Sequence, residues 1–406
     1  MPLLPPFLRR ATRGEATVVA LLLAVIAALA AGRPPPVPET SDVYVWQRVW
    51  HPALRDALQQ ARDLTHAWHV LGAEVTTQGT LRHVNVDLAA LASNGRAVVL
   101  VVRIDGQLAA QRGTALVGDV VALRERWQAG GLAVSGVEID HDCGTARLPD
   151  YASWLAELRR ALGAATPVTI TALPAWLASP VLEQVLAQVD ESVLQVHAVR
   201  QPREGLFDPA LAWQWTAAWA LRDRHAFRIA LPTYGSRVGF DAAGALSDIE
   251  SEAPTLRDAD ERRELAVSPA AVAAFVSRVR AERPAHWVGW AWFRLPTSED
   301  SRTWRMATWR AVVQGEPLHA STAVQWRPAG IAATYDVLLV NRFDTDADVP
   351  DRVALPAGCT QADGANGYHL AAGSDPRALD ADTIALLPPH ASRVIGWVHC
   401  DRPLSS

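Results

Sequence analysis

Lysine is missing altogether: the 38 basic residues of the chain are all arginine. That absence carries little functional weight, but the other scarcities exclude whole classes. Basic residues are outnumbered by 43 acidic ones, giving a net charge of −5 and a pI near 6.2. With no basic patch, nucleic acid is not an expected partner. There are only three cysteines, Cys143, Cys359 and Cys400, and no Cys/His spacing resembles a zinc site. No glycine fingerprint follows a strand, so no nucleotide cofactor is expected. Charged residues make up only 20% of the 406-residue chain and hydrophobic ones 50%. Disorder is therefore not expected over most of its length, and a large domain plus a small one can be filled.

Tryptophan is abundant, at sixteen residues. Indoles offer flat apolar faces suited to stacking on sugar rings, and equally to filling a core. At the N-terminus Arg9, Arg10 and Arg13 precede an apolar run over residues 16–31. A charged region followed by an apolar one, with small residues at Ala28-Leu29-Ala30, reads as an export signal. The run falls short of the roughly 20 residues of a spanning helix, and an uncleaved anchor is the alternative. Residues 1–31 are thus expected to be a signal peptide or membrane anchor, and residues 32–40 (GRPPPVPET) a Pro-rich linker. The body is expected to be exported, either periplasmic or held at the inner membrane.

From residue 41 to about 315 short apolar strands alternate with helical segments. Strands are expected at 43–47, 65–71, 97–104, 136–140, 168–172, 193–198, 227–231 and 288–293. Helix-start signals open several of the intervening stretches, as at Ser268-Pro269. Eight such repeats match a (β/α)₈ barrel in number and length. The link after strand two is short, so one helix there is expected to be abbreviated. The polar insertion over 236–267 follows strand seven and is a candidate lid, on which Glu250 and Glu252 offer further carboxylates. Residues 316–406 lack a helical period and read as a small all-β, sandwich-like module. Cys359 and Cys400 both fall within it, where a bridge and two free thiols are equally open.

The segment 136–142, GVEIDHD, places Glu138, Asp140 and Asp142 at alternate positions. In a strand such residues share one face, about 6.6 Å apart along it. Val137 and Ile139 then pack on the other. Neighbouring carboxylates raise at least one pKa, as a general acid at neutral pH requires. In a β/α barrel the working residues sit at the C-terminal strand ends. Those ends carry Trp46 on strand one, Arg103 on strand three, Gln195 and His197 on strand six, Tyr234 after strand seven, and Trp290 and Trp292 on strand eight. His66 and His69 on strand two read as wall residues. Acids, amides and aromatics at nearly every end suit a polysaccharide or oligosaccharide.

Three segments resemble the chitinase-type glycoside hydrolases: EIDHD at 138–142, ALPTYG at 230–235 and GWAW at 289–292, in the order that family has them. The resemblance implies a barrel with a proton donor beyond strand four. The family pattern D-x-x-D-x-D-x-E fits in two registers here. One places Gly144 at the donor position; the other places Asp142 there, with Asp140 and Glu138 behind it. The Tyr-Asp pair expected after strand six is replaced by Gln195-Val196-His197, which argues against chitin. The whole chain is also similar to a group of bacterial proteins known as domain of unknown function family 3142, through the WxRxW opening at 46–50, GVEIDHD and GWAWFRLP.

Three readings follow. One is an exported glycoside hydrolase acting on an envelope polysaccharide, with Asp142 as acid and Asp140 and Glu138 tuning it. The sugar would then lie among Tyr234, Trp46, Trp290, Trp292, Gln195, His197 and Arg103. A second is a non-catalytic carbohydrate-binding relative that keeps the aromatics but has lost the donor. A metal-dependent hydrolase using Asp140, Asp142 and a histidine is the third, and spacing supports it least.

Overall fold

In a computed structural model, residues 38–105, 110–197, 205–250, 261–318, 322–373, 377–382 and 385–404 are described. The N-terminal charged and apolar segment and most of the Pro-rich linker lie outside them, as does Glu252. Eight parallel strands close on themselves. They are β1 (Thr40–Val45), β2 (Ala67–Val75), β4 (Ala97–Ile104), β5 (Val134–His141), β6 (Val168–Ala172), β7 (Glu191–Gln195), β8 (Ala226–Pro232) and β12 (Trp287–Phe293). Each pairs with the next, and β1 closes the ring by pairing with both β2 and β12. The short β3 (Leu81–His83) adds an antiparallel hairpin to β2.

Between the strands lie α1 (Pro52–Ala61), α2 (Leu88–Asn94), α3 (Ala110–Ala129), α4 (Leu148–Leu162), α5 (Leu182–Leu186), α6 (Pro209–Arg222), α7 (Pro269–Glu282) and α8 (Met306–Gln314). As expected, the helix after the second barrel strand is abbreviated, at seven residues. Capping fixes the starts of α6 and α7. Asp208 accepts from the backbone N–H of Ala210 and Leu211, Ser268 from that of Ala271, and each is followed by proline.

Strand alternation sorts the side chains. Outward residues such as Val137, Ile139, Trp290 and Trp292 pack in the layer between barrel and helices, all of them fully buried. Inward residues are aromatic, small or charged: Tyr44, Trp46, Val101, Ala230 and Ala291 form one cluster, with Phe293 against it. The insertion after β8 folds as a three-stranded antiparallel sheet of β9 (Ser236–Phe240), β10 (Leu246–Glu250) and β11 (Glu261–Leu265), with β9 central. Where a polar loop was expected, β9 alternates Val238 and Phe240 into the main core.

The C-terminal part is all β. A four-stranded antiparallel sheet runs β13 (Thr322–Pro328), β14 (Thr334–Asn341), β21 (Ser392–Cys400), β17 (Cys359–Gly364). Smaller pairings of β15 (Ala347–Asp348) with β20 (Leu386–Leu387), and of β16 (Arg352–Ala354), β19 (Ala378–Ala381) and β18 (Tyr368–Leu370), complete the module. Val337, Leu339, Leu379, Ile395 and Val398 form its core. Cys359 and Cys400 are disulfide-bonded and join β17 to β21. Closing a loop of that length contributes about 4 kcal/mol. Two carboxylates tie the module to the barrel. Asp346 accepts from the Arg305 backbone N–H and the Thr308 hydroxyl, both at 2.7 Å, and Asp348 accepts from the Ser268 hydroxyl at 2.6 Å.

Candidate functional site

The inward face of β5 carries Glu138 and Asp140 at successive positions, and Asp142 follows where the strand ends. This phasing puts the three acids at three depths. Glu138 is completely buried. Its oxygens accept from the Tyr44 hydroxyl at 2.7 Å and face His69 Nδ1 at 2.6 Å. The other nitrogen of His69 lies 3.1 Å from Asp42, which also pairs with Arg228 at 2.9 Å. Although burial opposes charge on the imidazole, Glu138 and Asp42 raise its pKa to about 10. Burial acts on Asp42 in the opposite sense to its partners, and Arg228 and the two histidines His66 and His69 win, holding its carboxyl well below the usual range.

Glu138 is therefore a member of a sealed ionic layer in the barrel floor. It does not line the cavity above and both its oxygens are taken by protein groups, which counts against its expected catalytic role. Its partners come from β1 and β2.

Above that layer a cavity of about 330 Å³ opens at the C-terminal ends of the strands. Asp140 and Asp142 line it together with Arg103, whose own strand lies next to β5 so that Arg103 and Asp140 are register partners. Arg103 Nη1 donates to Asp140 at 2.6 Å, Nη2 to Asp142 at 3.2 Å and Nε to Asp105 at 3.0 Å. The second oxygen of Asp140 accepts from the Thr171 hydroxyl at 2.7 Å and from the Gln195 amide at 3.4 Å. Asp140 is 3% exposed. Burial raises its carboxyl pKa above the ordinary value, Arg103 opposes that and Asp142 adds to it. Asp142 differs: 47% of its side chain is exposed. One guanidinium thus clamps both mouth acids, but one of them faces open space.

The rest of the wall is aromatic and centred on Phe293. Its ring lies 5.0 Å from that of Trp46, 5.5 Å from those of Tyr44 and Tyr234, and 5.9 Å, stacked, from that of His197. Burial among these rings lowers the His197 pKa to about 4. Burial also raises the Tyr234 hydroxyl, with Arg294 opposing and Asp142 assisting. Tyr234 is aimed inward by the turn after β8. A Cβ on Gly235 would meet the Leu265 carbonyl oxygen at 2.4 Å, so the PTYG segment needs glycine where two backbones touch.

Seven of the expected residues line this cavity: Trp46, Arg103, Asp140, Asp142, Gln195, His197 and Tyr234. Trp290 and Trp292 do not. They point outward, where Trp290 meets Phe275 of α7 and the Trp292 indole N–H lies 3.3 Å from the Ser41 hydroxyl. The strand was phased one residue off: Gly289, Ala291 and Phe293 are the inward set. Phe293, Tyr44 and Thr171 went unrecognised. The small residues of GWAWF were the available signal for Phe293, since Gly289 and Ala291 mark the crowded inward face of that strand. Among the described residues, no group of three or more His, Cys, Asp or Glu is disposed to hold a metal ion.

The closed ring of parallel strands with intervening helices is a (β/α)₈ barrel, a fold shared with solved chitinase structures. The chitinase from Bacteroides thetaiotaomicron superposes with a TM-score of 0.51 at 12% identity, over 70% of this chain and 100% of its own. The spore cortex-lytic enzyme SleL of Bacillus megaterium gives 0.52 at 11% identity, over 70% of this chain and 76% of its own. At those identities the likeness shows the fold alone. No curated protein sequence matches. The chain belongs to the family described as domain of unknown function (DUF3142), whose model matches residues 94–298, half of the chain. A second model, domain of unknown function (DUF8456), matches residues 325–401 in the β module.

Proposed function

We propose that the barrel mouth binds carbohydrate, and that the protein is an exported glycan-binding member of the cell envelope built on a hydrolase-like barrel. The observation that carries this reading is the Arg103 clamp on both mouth acids. Two-carboxyl glycoside hydrolysis needs an acid and a nucleophile or base on opposite sides of the bond, each free to change protonation. Asp140 is buried with both oxygens engaged, and among the described residues Asp142 is the one other carboxylate that lines the cavity. For binding, the same groups suffice. Phe293, Tyr234 and Trp46 offer ring faces, while Asp142, Gln195 and Arg103 offer partners for hydroxyls. The solved structures of similar fold are named as chitinases and a cortex-lytic enzyme, which supports a glycan as the ligand class. Export rests on the N-terminal charged and apolar segment.

One observation favours a second reading, hydrolysis with Asp142 as the acid. Asp142 leaves the end of the fourth barrel strand half-exposed into the cavity, the position at which barrel enzymes carry working residues. A polysaccharide panel separates the two. Wild-type protein and Asp142→Asn are assayed for retention on each polymer and for release of reducing ends. Binding requires retention by both proteins without release, and Phe293→Ala should weaken it by about tenfold, the loss of one ring contact worth about 1.4 kcal/mol. Reducing ends that appear with wild type and vanish with Asp142→Asn establish the hydrolase instead.

A further inference from the structure

The cavity does not end at the aromatic ring. Trp46, Arg103, Tyr234 and Phe293 are shared with a groove of about 910 Å³ that runs over the loop after β12. At its far side Ser301 and Arg302 are shared in turn with a pocket of about 230 Å³ at the junction of barrel, insertion sheet and β module. Four guanidiniums line that pocket, Arg237, Arg302, Arg305 and Arg393, against two carboxylates, Glu264 and Asp346. Both carboxylates are already engaged. Glu264 pairs with Arg237 and Arg302. Asp346 is occupied by the Arg305 backbone N–H and the Thr308 hydroxyl. Among the described residues the Arg305 charge acts on Asp346, while Arg393 has no carboxylate partner and donates only to the Leu386 carbonyl at 3.1 Å, so that four positive groups face two negative ones. Excess positive charge held by converging, half-buried guanidiniums is an arrangement that recognises a carboxylate or phosphate, because the fork of N–H groups matches two oxygens at once.

We infer that the junction pocket is an anion site and that it takes an acidic group of the glycan whose sugar occupies the barrel mouth, so that the ligand is an acidic polysaccharide. The glycan part of this inference rests on the carbohydrate reading of the mouth; the anion site stands on its own residues. The shared lining makes one continuous track from Asp142 through the groove to Arg305. A polymer lying along it places one ring against Phe293 and a charged substituent several ångströms further along the chain, between two structural units that a smaller ligand would not span. Carboxylate of a uronic acid and a phosphate ester present the same oxygens to the pocket, and the choice of probes distinguishes them.

The experiment is calorimetric titration of the full chain with three probes: oligogalacturonate, the same oligomer fully methyl-esterified, and inorganic phosphate. The acidic oligomer is expected to bind at least about tenfold more tightly than its ester. The gap should close in Arg305→Ala/Arg393→Ala and shrink as salt rises. Phosphate should bind wild type and not the double variant, while Arg305→Lys, which keeps the charge, retains measurable phosphate binding and shows that side-chain loss rather than misfolding is responsible. Equal affinity for acid and ester with no phosphate binding overturns the anion site and leaves the carbohydrate reading intact. Phosphate binding that depends on Arg305 and Arg393, with neither oligomer bound, upholds the site and overturns the carbohydrate reading of the mouth. Tight binding of the acidic oligomer that the double variant keeps unchanged overturns the site.

Discussion

Two buried histidines mark the two layers inside the barrel. His69, in the floor, is held between Glu138 and Asp42, within a layer that also contains Tyr44, Arg228 and Glu191. His197, at the mouth, sits against Phe293 and Tyr234 and has no ionic partner among the described residues. Burial disfavours the charged form of both. In the floor two carboxylates overcome it and the ring is cationic; among aromatics nothing does, and the ring is neutral. Every charge in the floor is spent on another protein charge, which fixes the strands but leaves nothing for a ligand. The mouth repeats the pattern with Arg103, Asp140 and Thr171, then breaks it at Asp142. On the proposed carbohydrate reading, that break is where a ligand is met.

Removing a member of the floor should have the largest effect. His69→Ala leaves Asp42 with Arg228 but strands Glu138 as a buried carboxylate with only the Tyr44 hydroxyl, and is expected to cost about 3–5 kcal/mol. A fall in the urea midpoint at constant m-value measures it. A loss below about 1 kcal/mol would show that water enters the floor, and the contrast with the mouth would disappear. Arg103→Ala, in the mouth, should cost less, about 2 kcal/mol, because its side chain is 27% exposed and Asp140 keeps its bond to Thr171. Equal costs for the two variants would mean that the mouth is as closed as the floor.

The pH dependence sharpens the comparison, since the two histidines act in opposite windows. The folded His69 pKa, about 10, lies above the unfolded value near 6.5. Its contribution to stability is complete below about 6.5 and is lost as pH rises through about 10. For His197 the folded value, about 4, lies below the unfolded one. Its contribution is complete above about 6.5 and is lost as pH falls through about 4. Imidazole ¹³C or ¹⁵N shifts followed from pH 4 to 10 should show one ring protonated across the range where the other is neutral. Two rings titrating together near 6.5 would contradict both environments.

The sequence carried most of the fold, for a physical reason. Parallel strands buried on both faces are apolar runs, and the intervening helices announce their starts with Asp208-Pro209 and Ser268-Pro269. Period-two alternation placed Glu138 and Asp140 inward correctly, because charges marked the face. In β12 no charge marks either face, and Trp290 and Trp292 are expected at the mouth as sugar-stacking aromatics, whereas Ala291 and Phe293 are the inward pair. Bulky indoles face the helices because the space between strands and helices accepts them, while the barrel interior near Gly289 is so close that a Cβ would meet the Thr40 carbonyl oxygen at 2.1 Å. Depth was only partly legible. Position along the strand puts Glu138 deepest but does not say how each acid is partnered. Only the neighbours supplied by other strands, His69 for Glu138 and Thr171 for Asp140, separate floor from mouth. The junction pocket was likewise invisible, since its arginines come from three segments far apart in the chain.

The smallest effect on stability, and the most telling, is expected from Asp142→Asn. An ion pair with one partner half-exposed contributes about 0–1 kcal/mol, and Arg103 keeps Asp140 and Asp105 as partners when Asp142 loses its charge. The urea midpoint should therefore barely move. The change should appear instead next door. Asp142 is one cause of the raised Asp140 pKa, so neutralising it must lower the pH at which Asp140 titrates, as followed by its carboxyl ¹³C shift. A variant that leaves stability intact yet shifts Asp140 would show that the two acids share one electrostatic site at the edge of solvent. A variant that destabilises the barrel by 3 kcal/mol or so, as expected for a broken buried pair, would place Asp142 with the floor and remove the one carboxylate on which recognition at the mouth depends.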